Sequence, residues 1–375
     1  PYLSLISLVA FAGGIQNSHN KFSVPAYTPV IFNLCLIVAA ILIAPMYEMP
    51  IFVLAWGVLL AGILQLLIQI LPLWQIKRLP VPKINFKNSG LRRFLKLVAP
   101  AILAGGIIQI NLLVDTIFAS LLETGSPTWL YVSDRLIQFP MGIFAIAIGT
   151  VLLPTLSKLD LKNEKIKFIQ SVHKGQRFVI FIAVPSLIGL FFCAEDLIST
   201  IFYRGAFTQI DVLNSSYSLM AFSFGLPFFM LMKVLTPAFF ARKDTKTPMY
   251  VALVSLLLNA SLNYYLAFML DFGHIGIALG SSIAALISVL ILEFILYKDG
   301  FIKIKSVFNR FNIMILFSSL SLILFLNFYT NLTNFIEFSQ IERLLYLSIE
   351  VIISIIIYGA VSRLILRKPI QTLFE

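Results

Sequence analysis

The stretch QINLLVDTIFASLLETGSPTWLYVSDRLIQFPMGIFAIAIGTVLLPTLSK, residues 109–158, decides the fold. It joins two apolar segments through the short turn ETGSPT and sets Asp115, Asp134 and Arg135 in otherwise oily surroundings. Both segments belong to runs of the roughly 20 or more residues that a helix needs to cross a bilayer. An ionisable group in such a run costs at least roughly 2–3 kcal/mol, so each of these three marks a candidate functional site.

Working outward, the composition points the same way. Of 375 residues, 59% are hydrophobic and only 12% charged, and mean hydropathy is +0.95. An ordinary soluble domain has roughly 25% charged residues. A soluble protein of this length needs a polar skin that this chain lacks. The chain therefore reads as an all-α polytopic membrane protein; apolar runs this long exclude the alternating ten-residue strands of a β-barrel. The net charge of +11 is spread over connections and is not gathered with exposed aromatics, which speaks against nucleic acid as a partner. Cys35 and Cys193 sit in apolar runs without metal-ligand spacing. No nucleotide-binding loop, metalloprotease helix, nucleophile elbow or Cys/His cluster occurs, and His19, His173 and His274 all lie in or beside loops. The pattern favours a transporter over an enzyme, with no resident cofactor, working on a gradient or downhill.

About eleven spanning segments follow: 1–18, 26–45, 51–71, 95–122, 127–156, 172–193, 214–240, 248–270, 274–297, 311–329 and 344–365. Pro140 and Pro154 predict a bend in the longest of them. Most of the 28 basic residues fall in alternate connections, from Lys77 to Lys96, Lys158 to Arg177, Arg242 to Lys246 and Lys298 to Arg310. The positive-inside rule makes these connections and the C-terminus cytoplasmic. Residue 1 then lies outside. The opening PYLSLISLVAFAGGI lacks an initiator Met and a charged leader and reads as a chain entered at the top of a helix, with an odd number of helices expected upstream.

The basic, proline-containing stretch 71–93 divides the chain and suits anionic headgroups or plain solvation. A faint repeat pairs PAYTPVIFN (25–33) with KTPMYVALV (246–254), and LAWGVLLAGI (54–63) with IALGSSIAAL (277–286), as in duplicated transporter halves.

Asn111 and Asp115 are four apart and share a helix face, as do Asn259 and Asn263; Ser281 and Ser282 follow on the next segment. Asp115 is too deep and too short to reach water, so it serves a coupling ion, the substrate path or the packing of neighbouring helices. These oxygens are of the hard type that Na⁺ takes, although spacing alone does not bring them together. Arg135 offers a five-donor fork for phosphate oxygens or a structural pair with another helix, and adjacency keeps it off the face of Asp134. Lys233 lies deep enough to snorkel.

The ordered pieces FAGGIQNSHNKFSVPAYTPVIFN (11–33), QINLLVDTIFAS (109–120), GSPTWLYVSDRLIQFPMGIFAIAIGTVLLPTLSK (125–158), IFYRGAFT (201–208) and KVLTPAFFARKDTKTP (233–248) resemble the MurJ/MviN family of lipid II flippases. That family belongs to the multidrug/oligosaccharidyl-lipid/polysaccharide exporter superfamily. The resemblance implies an inverted-V, two-lobe MurJ/MATE-like fold, with about 11 of 14 transmembrane helices present. Residues 1–70 are then the remainder of the first lobe, 71–93 a cytoplasmic linker, 94–297 a second six-helix lobe, and 298–375 two groove helices with a tail. It also implies export of the undecaprenyl-diphosphate-linked peptidoglycan precursor across the cytoplasmic membrane, with Asp134 and Arg135 against the diphosphate. A sodium site known in some members maps to Asp115, Asn259, Asn263, the carbonyl of Ile277 and the hydroxyl of Ser281, and coupling would be to Na⁺ or membrane potential. Partners on this reading are lipid II, anionic lipids and cell-wall synthesis proteins. The rival readings are a drug/cation antiporter or O-antigen-type flippase of the same superfamily, and an inactive membrane scaffold.

Overall fold

A computed structural model describes residues 1–19, 21, 23–77, 106–107, 109–159, 163–302, 310–333 and 335–366. The chain divides into two compact units, Pro1–Arg93 and Phe94–Glu375. All regular elements among the described residues are helical.

In the first unit, α1 (Tyr2–Ser18) and α2 (Ser23–Val38) pack on α3 (Pro50–Gln75). These helices are apolar all round and bury amides instead of charges. Gln16 donates to Gln69 Oε1 at 3.0 Å, Gln69 to the Val9 carbonyl at 3.2 Å, and Gln65 to the Thr28 carbonyl at 2.7 Å. All three glutamines are fully buried or nearly so. In lipid the apolar surfaces gain little by leaving the solvent, so such amide bonds and close packing hold helices together. Helix α3 runs on to Gln75, past residue 70; residues 78–93 of the expected linker lie outside the described residues.

The second unit holds a helical segment at 109–120 (α4), α5 (Ser126–Pro140), α6 (Ile146–Ser157) and α7 (Lys165–Phe192). Short α8 (Ala194–Phe202) leads to α9 (Gln209–Ser223) and α10 (Leu226–Ala241), then α11 (Lys246–Tyr264) and α12 (Gly273–Lys298). Two last helices, α13 (Arg310–Thr330) and α14 (Gln340–Leu366), pack on each other, with α13 also against α7 and α14 against α8. The core of the unit runs through α7, α9 and α10, around Phe168, Val179, Leu219, Leu226 and Phe239. Outside it the surface is lipid-like: Trp56 in the first unit and Leu364 in the second are 70% and 74% exposed.

Among the described residues, eight helices are long and apolar enough to cross a membrane, and a ninth span results if α9 and α10 count as one. The count of eleven is therefore not reached there. Segment 1–18 forms a helix of 17 residues, and the first part of segment 95–122 lies outside the described residues. The continuous span expected over 214–240 is broken: α9 and α10 are bent by 42°. Pro227 has no N–H for the Ser223 carbonyl, and Gly225 leaves no room for a side chain, since a Cβ there would come within 2.6 Å of Ser282 Oγ. Ser282 fills the break, donating to the Ala221 carbonyl at 2.9 Å. At Pro140 the expected irregularity takes the form of a π-helical turn, Met141–Ala145.

The start of α9 is fixed by a reciprocal cap between Thr208 and Asp211, and Asp211 Oδ1 also accepts from Trp129 Nε1 at 2.7 Å. Replacing Asp211 with Ala removes both cap and partner. The expected loss is about 1–3 kcal/mol, read as a lower Tm of the detergent-solubilised protein.

Candidate functional site

Helices α11 and α12 make the most intimate helix contact of the second unit. A Cβ on Gly280 would lie 2.4 Å from Asn263 Oδ1, so only glycine lets the α12 backbone come this near. The approach lets side chains from both helices meet the carboxylate of α4. Asn263 Nδ2 donates to Asp115 Oδ1 at 2.6 Å and to Asn259 Oδ1 at 3.0 Å. Asn259 Nδ2 donates in turn to Ser281 Oγ at 2.8 Å, and Asn111 Nδ2 reaches Asp115 Oδ2 at 3.5 Å. Asn259 and Asn263 are buried to 1% and 0% exposure.

Asp115, Asn259, Asn263 and Ser281 thus converge. Among the described residues, Asn263 Oδ1 is buried with no hydrogen-bond partner. A desolvated amide oxygen left unpaired costs about 1–3 kcal/mol, so this atom suits a ligand with positive charge. The cluster brings together oxygens of Asp115, Asn259, Asn263 and Ser281 and the amide nitrogens that bond them, and those oxygens are of the hard type that suits Na⁺. Ile277 differs from the other four: one turn before Ser281, its side chain packs with Ala119, Leu130 and Ala278, and none of the bonds linking the cluster involves it.

Asp134 and Arg135 lie on α5 and face apart, as adjacent helical residues must. Gln138 donates to Asp134 Oδ2, while the Arg135 guanidinium lies over the Tyr131 ring at 4.6 Å and is exposed. No ion pair holds Arg135 among the described residues. Its remaining donors are open to a ligand.

Other polar residues singled out in the sequence separate by role. Ser282 belongs to the α9–α10 break and not to the Asp115 cluster. Lys233 is exposed. His274 is in the first turn of α12, buried, bonded to Ser218 Oγ at 2.7 Å and edge-on to Trp129. Sequence reasoning passed over Asp196 and Glu350, both buried acids of the second unit. Glu350 stands mid-way along an apolar run, the same signal that singled out Asp115.

The profile of the family described as "Lipid II flippase MurJ" matches residues 1–346. The chain belongs to the MurJ family. It is 40% identical over 300 residues to the "Probable lipid II flippase MurJ" of Vibrio cholerae, covering 80% of this chain and 57% of that protein. It is 33% identical over 326 residues to the "Lipid II flippase MurJ" of Burkholderia cenocepacia, covering 86% of this chain and 63% of that protein. Among solved structures, "Lipid II flippase MurJ, inward closed conformation" superposes with a TM-score of 0.75 at 29% identity, covering 98% of this chain and 72% of that one. The chain thus has a MurJ-like membrane fold and spans about three fifths of the length of the curated relatives it matches.

A methyl group at Gly280 should force α11 and α12 apart and pull Asn263 off Asp115. Gly280→Ala is expected to cost about 1–3 kcal/mol. Gly189→Ala, on α7 with nothing within 4 Å of the new carbon, should be neutral or slightly stabilising in the same thermal-shift assay.

Proposed function

We propose that the protein containing this chain is a lipid II flippase of the cytoplasmic membrane. It moves the undecaprenyl-diphosphate-linked peptidoglycan precursor from the inner to the outer leaflet for cell-wall synthesis. Family membership supports the substrate class, and one feature of the site carries the reading: Arg135, an exposed guanidinium without an ion pair on an apolar spanning helix. A guanidinium presents two parallel N–H donors to phosphate oxygens, and the contact strengthens where water is scarce. Asp134 is turned toward Gln138 and makes no ion pair with that fork among the described residues.

On this reading the head group meets Arg135 while the prenyl tail stays in lipid. The α13–α14 pair offers an apolar groove of about 530 Å³ beside Phe317, Leu320, Leu324, Val361 and Leu364, which suits the tail. Alternating access through rocking of two lobes then presents the head to the outer leaflet. The finer architecture belongs to the same proposal: an inverted V with eleven of its fourteen helices in this chain, and lobes, linker and groove helices at 1–70, 71–93, 94–297 and 298–375. The bias of Lys and Arg supports a cytoplasmic C-terminus.

Asp115, Asn259, Asn263 and Ser281 would hold the coupling sodium ion, with the Ile277 carbonyl as a further ligand. The ion would supply positive charge to the carboxylate and to the unpaired Asn263 oxygen. The chain's own contribution is to tie α4 to α11 and α12, so that occupancy of the cluster is felt by three helices at once.

In a full-length version, Arg135→Ala should abolish growth-supporting activity while leaving membrane expression intact; normal complementation would remove Arg135 from the substrate site. Separately, Na⁺ but not choline should raise the Tm of the purified protein, following the logarithm of its concentration above Kd. Asp115→Asn should erase that rise.

A further inference from the structure

We propose that Asp196 and Glu350 form a proton-binding site that latches the C-terminal helix pair to the second unit's helix core. The pair lies where α14 packs on α8, away from the Asp115 cluster, and the inference does not depend on what the protein transports.

Helix α8 begins just after the end of α7, and its first turn carries Glu195 and Asp196. Asp196 is 7% exposed and Glu350, from α14, is 0% exposed. One oxygen of each, Asp196 Oδ2 and Glu350 Oε2, is buried with no hydrogen-bond partner among the described residues. Glu350 Oε1 accepts from the Cys193 thiol at 3.1 Å, and Cys193 is itself buried. Two unpaired carboxylate oxygens held in an apolar junction are not compatible with two full negative charges.

The cation placed to neutralise them is committed elsewhere. Arg343, two turns before Glu350 on α14, donates to the carbonyls of Phe335 at 2.6 Å, Ile336 at 2.9 Å and Ser199 at 3.5 Å, and stacks on Tyr203. It rivets α14 to α8 without reaching either carboxylate. From α13, the Tyr329 hydroxyl is turned to the Tyr346 carbonyl at 3.1 Å. From α9, Asp211 is held by Trp129 and Thr208. Among the described residues, the charges acting on Asp196 are like ones, Glu350 and Glu195. A proton is the ligand that removes one charge and supplies the missing donor in a space this closed.

Burial first, then the Glu350 and Glu195 carboxylates, push the Asp196 carboxyl from its ordinary 3.8 up to about 8. Its folded value is above its unfolded one, so the folded state binds the extra proton. The stability it confers is fully present below 3.8 and is lost as pH rises to about 8. The latch is therefore closed in acid and at neutrality and loosens in alkali.

Infrared difference spectra and thermal unfolding of the intact purified chain, taken across this pH range, test the latch. The wild type should show a protonated-carboxyl band that disappears as pH rises, together with a Tm drop on the order of 5 °C. Asp196→Asn and Glu350→Gln keep shape and remove a charge. Each should shrink the band and flatten the Tm profile, and the double variant should abolish both. Should a single variant fail to fold, the wild-type band and hydrogen exchange of α8 and α14 against pH still decide. A band absent at neutral pH, a pH-independent wild-type Tm, or protection that follows Na⁺ and not pH would each overturn the proposal.

Discussion

One amide nitrogen, Asn263 Nδ2, connects the half-buried carboxylate of Asp115 to its surroundings. It donates to both Asp115 and Asn259, which joins α4 to α11, and Asn259 donates in turn to Ser281 of α12. A half-buried carboxylate in an apolar helix is stabilised by donors or a cation. The meeting is possible because Gly280 brings the α12 backbone against Asn263. The first unit uses the same device without charge, through Gln16, Gln65 and Gln69. Helices that gain little from hiding apolar surface in lipid are specified by such contacts.

Opposite chemistries are kept on neighbouring elements. The oxygens of the Asp115 cluster face inward and leave an acceptor unpaired, whereas Arg135 on α5 holds its donors outward beside Tyr131. A flippase for a lipid diphosphate needs both a place for an anion that moves and a reason for the helices to change position. The proposed function assigns the first to Arg135 and the second to the cluster. The buried Asp196–Glu350 junction adds a third polar element, where α14 meets α8.

Much of this was legible in the sequence because membrane helices announce themselves by length and because i,i+4 spacing is geometry. The pairs Asn111–Asp115 and Asn259–Asn263 share faces for that reason, and the structure joins them. The break at Gly225 was not legible, since a Gly-Leu-Pro sequence inside an apolar run is tolerated in straight and bent spans alike. Nor were the partners of Gln69 or Glu350: a helix apolar on every side gives no periodicity to say which face is buried. Ser281 and Ser282 show the same limit, as adjacent hydroxyls serving different helices. The adjacent pair Asp134–Arg135 makes no ion pair among the described residues, in keeping with the angular step between neighbouring residues.

The central claim is that this fold exports a lipid-linked cell-wall precursor. Its most direct measurement is the accessibility of lipid II in the outer leaflet, after depletion of the native protein and rescue with the full-length gene. The account predicts that accessible lipid II collapses on depletion and returns on rescue. Accessible lipid II that stays unchanged through depletion, while the protein is demonstrably absent, would contradict it.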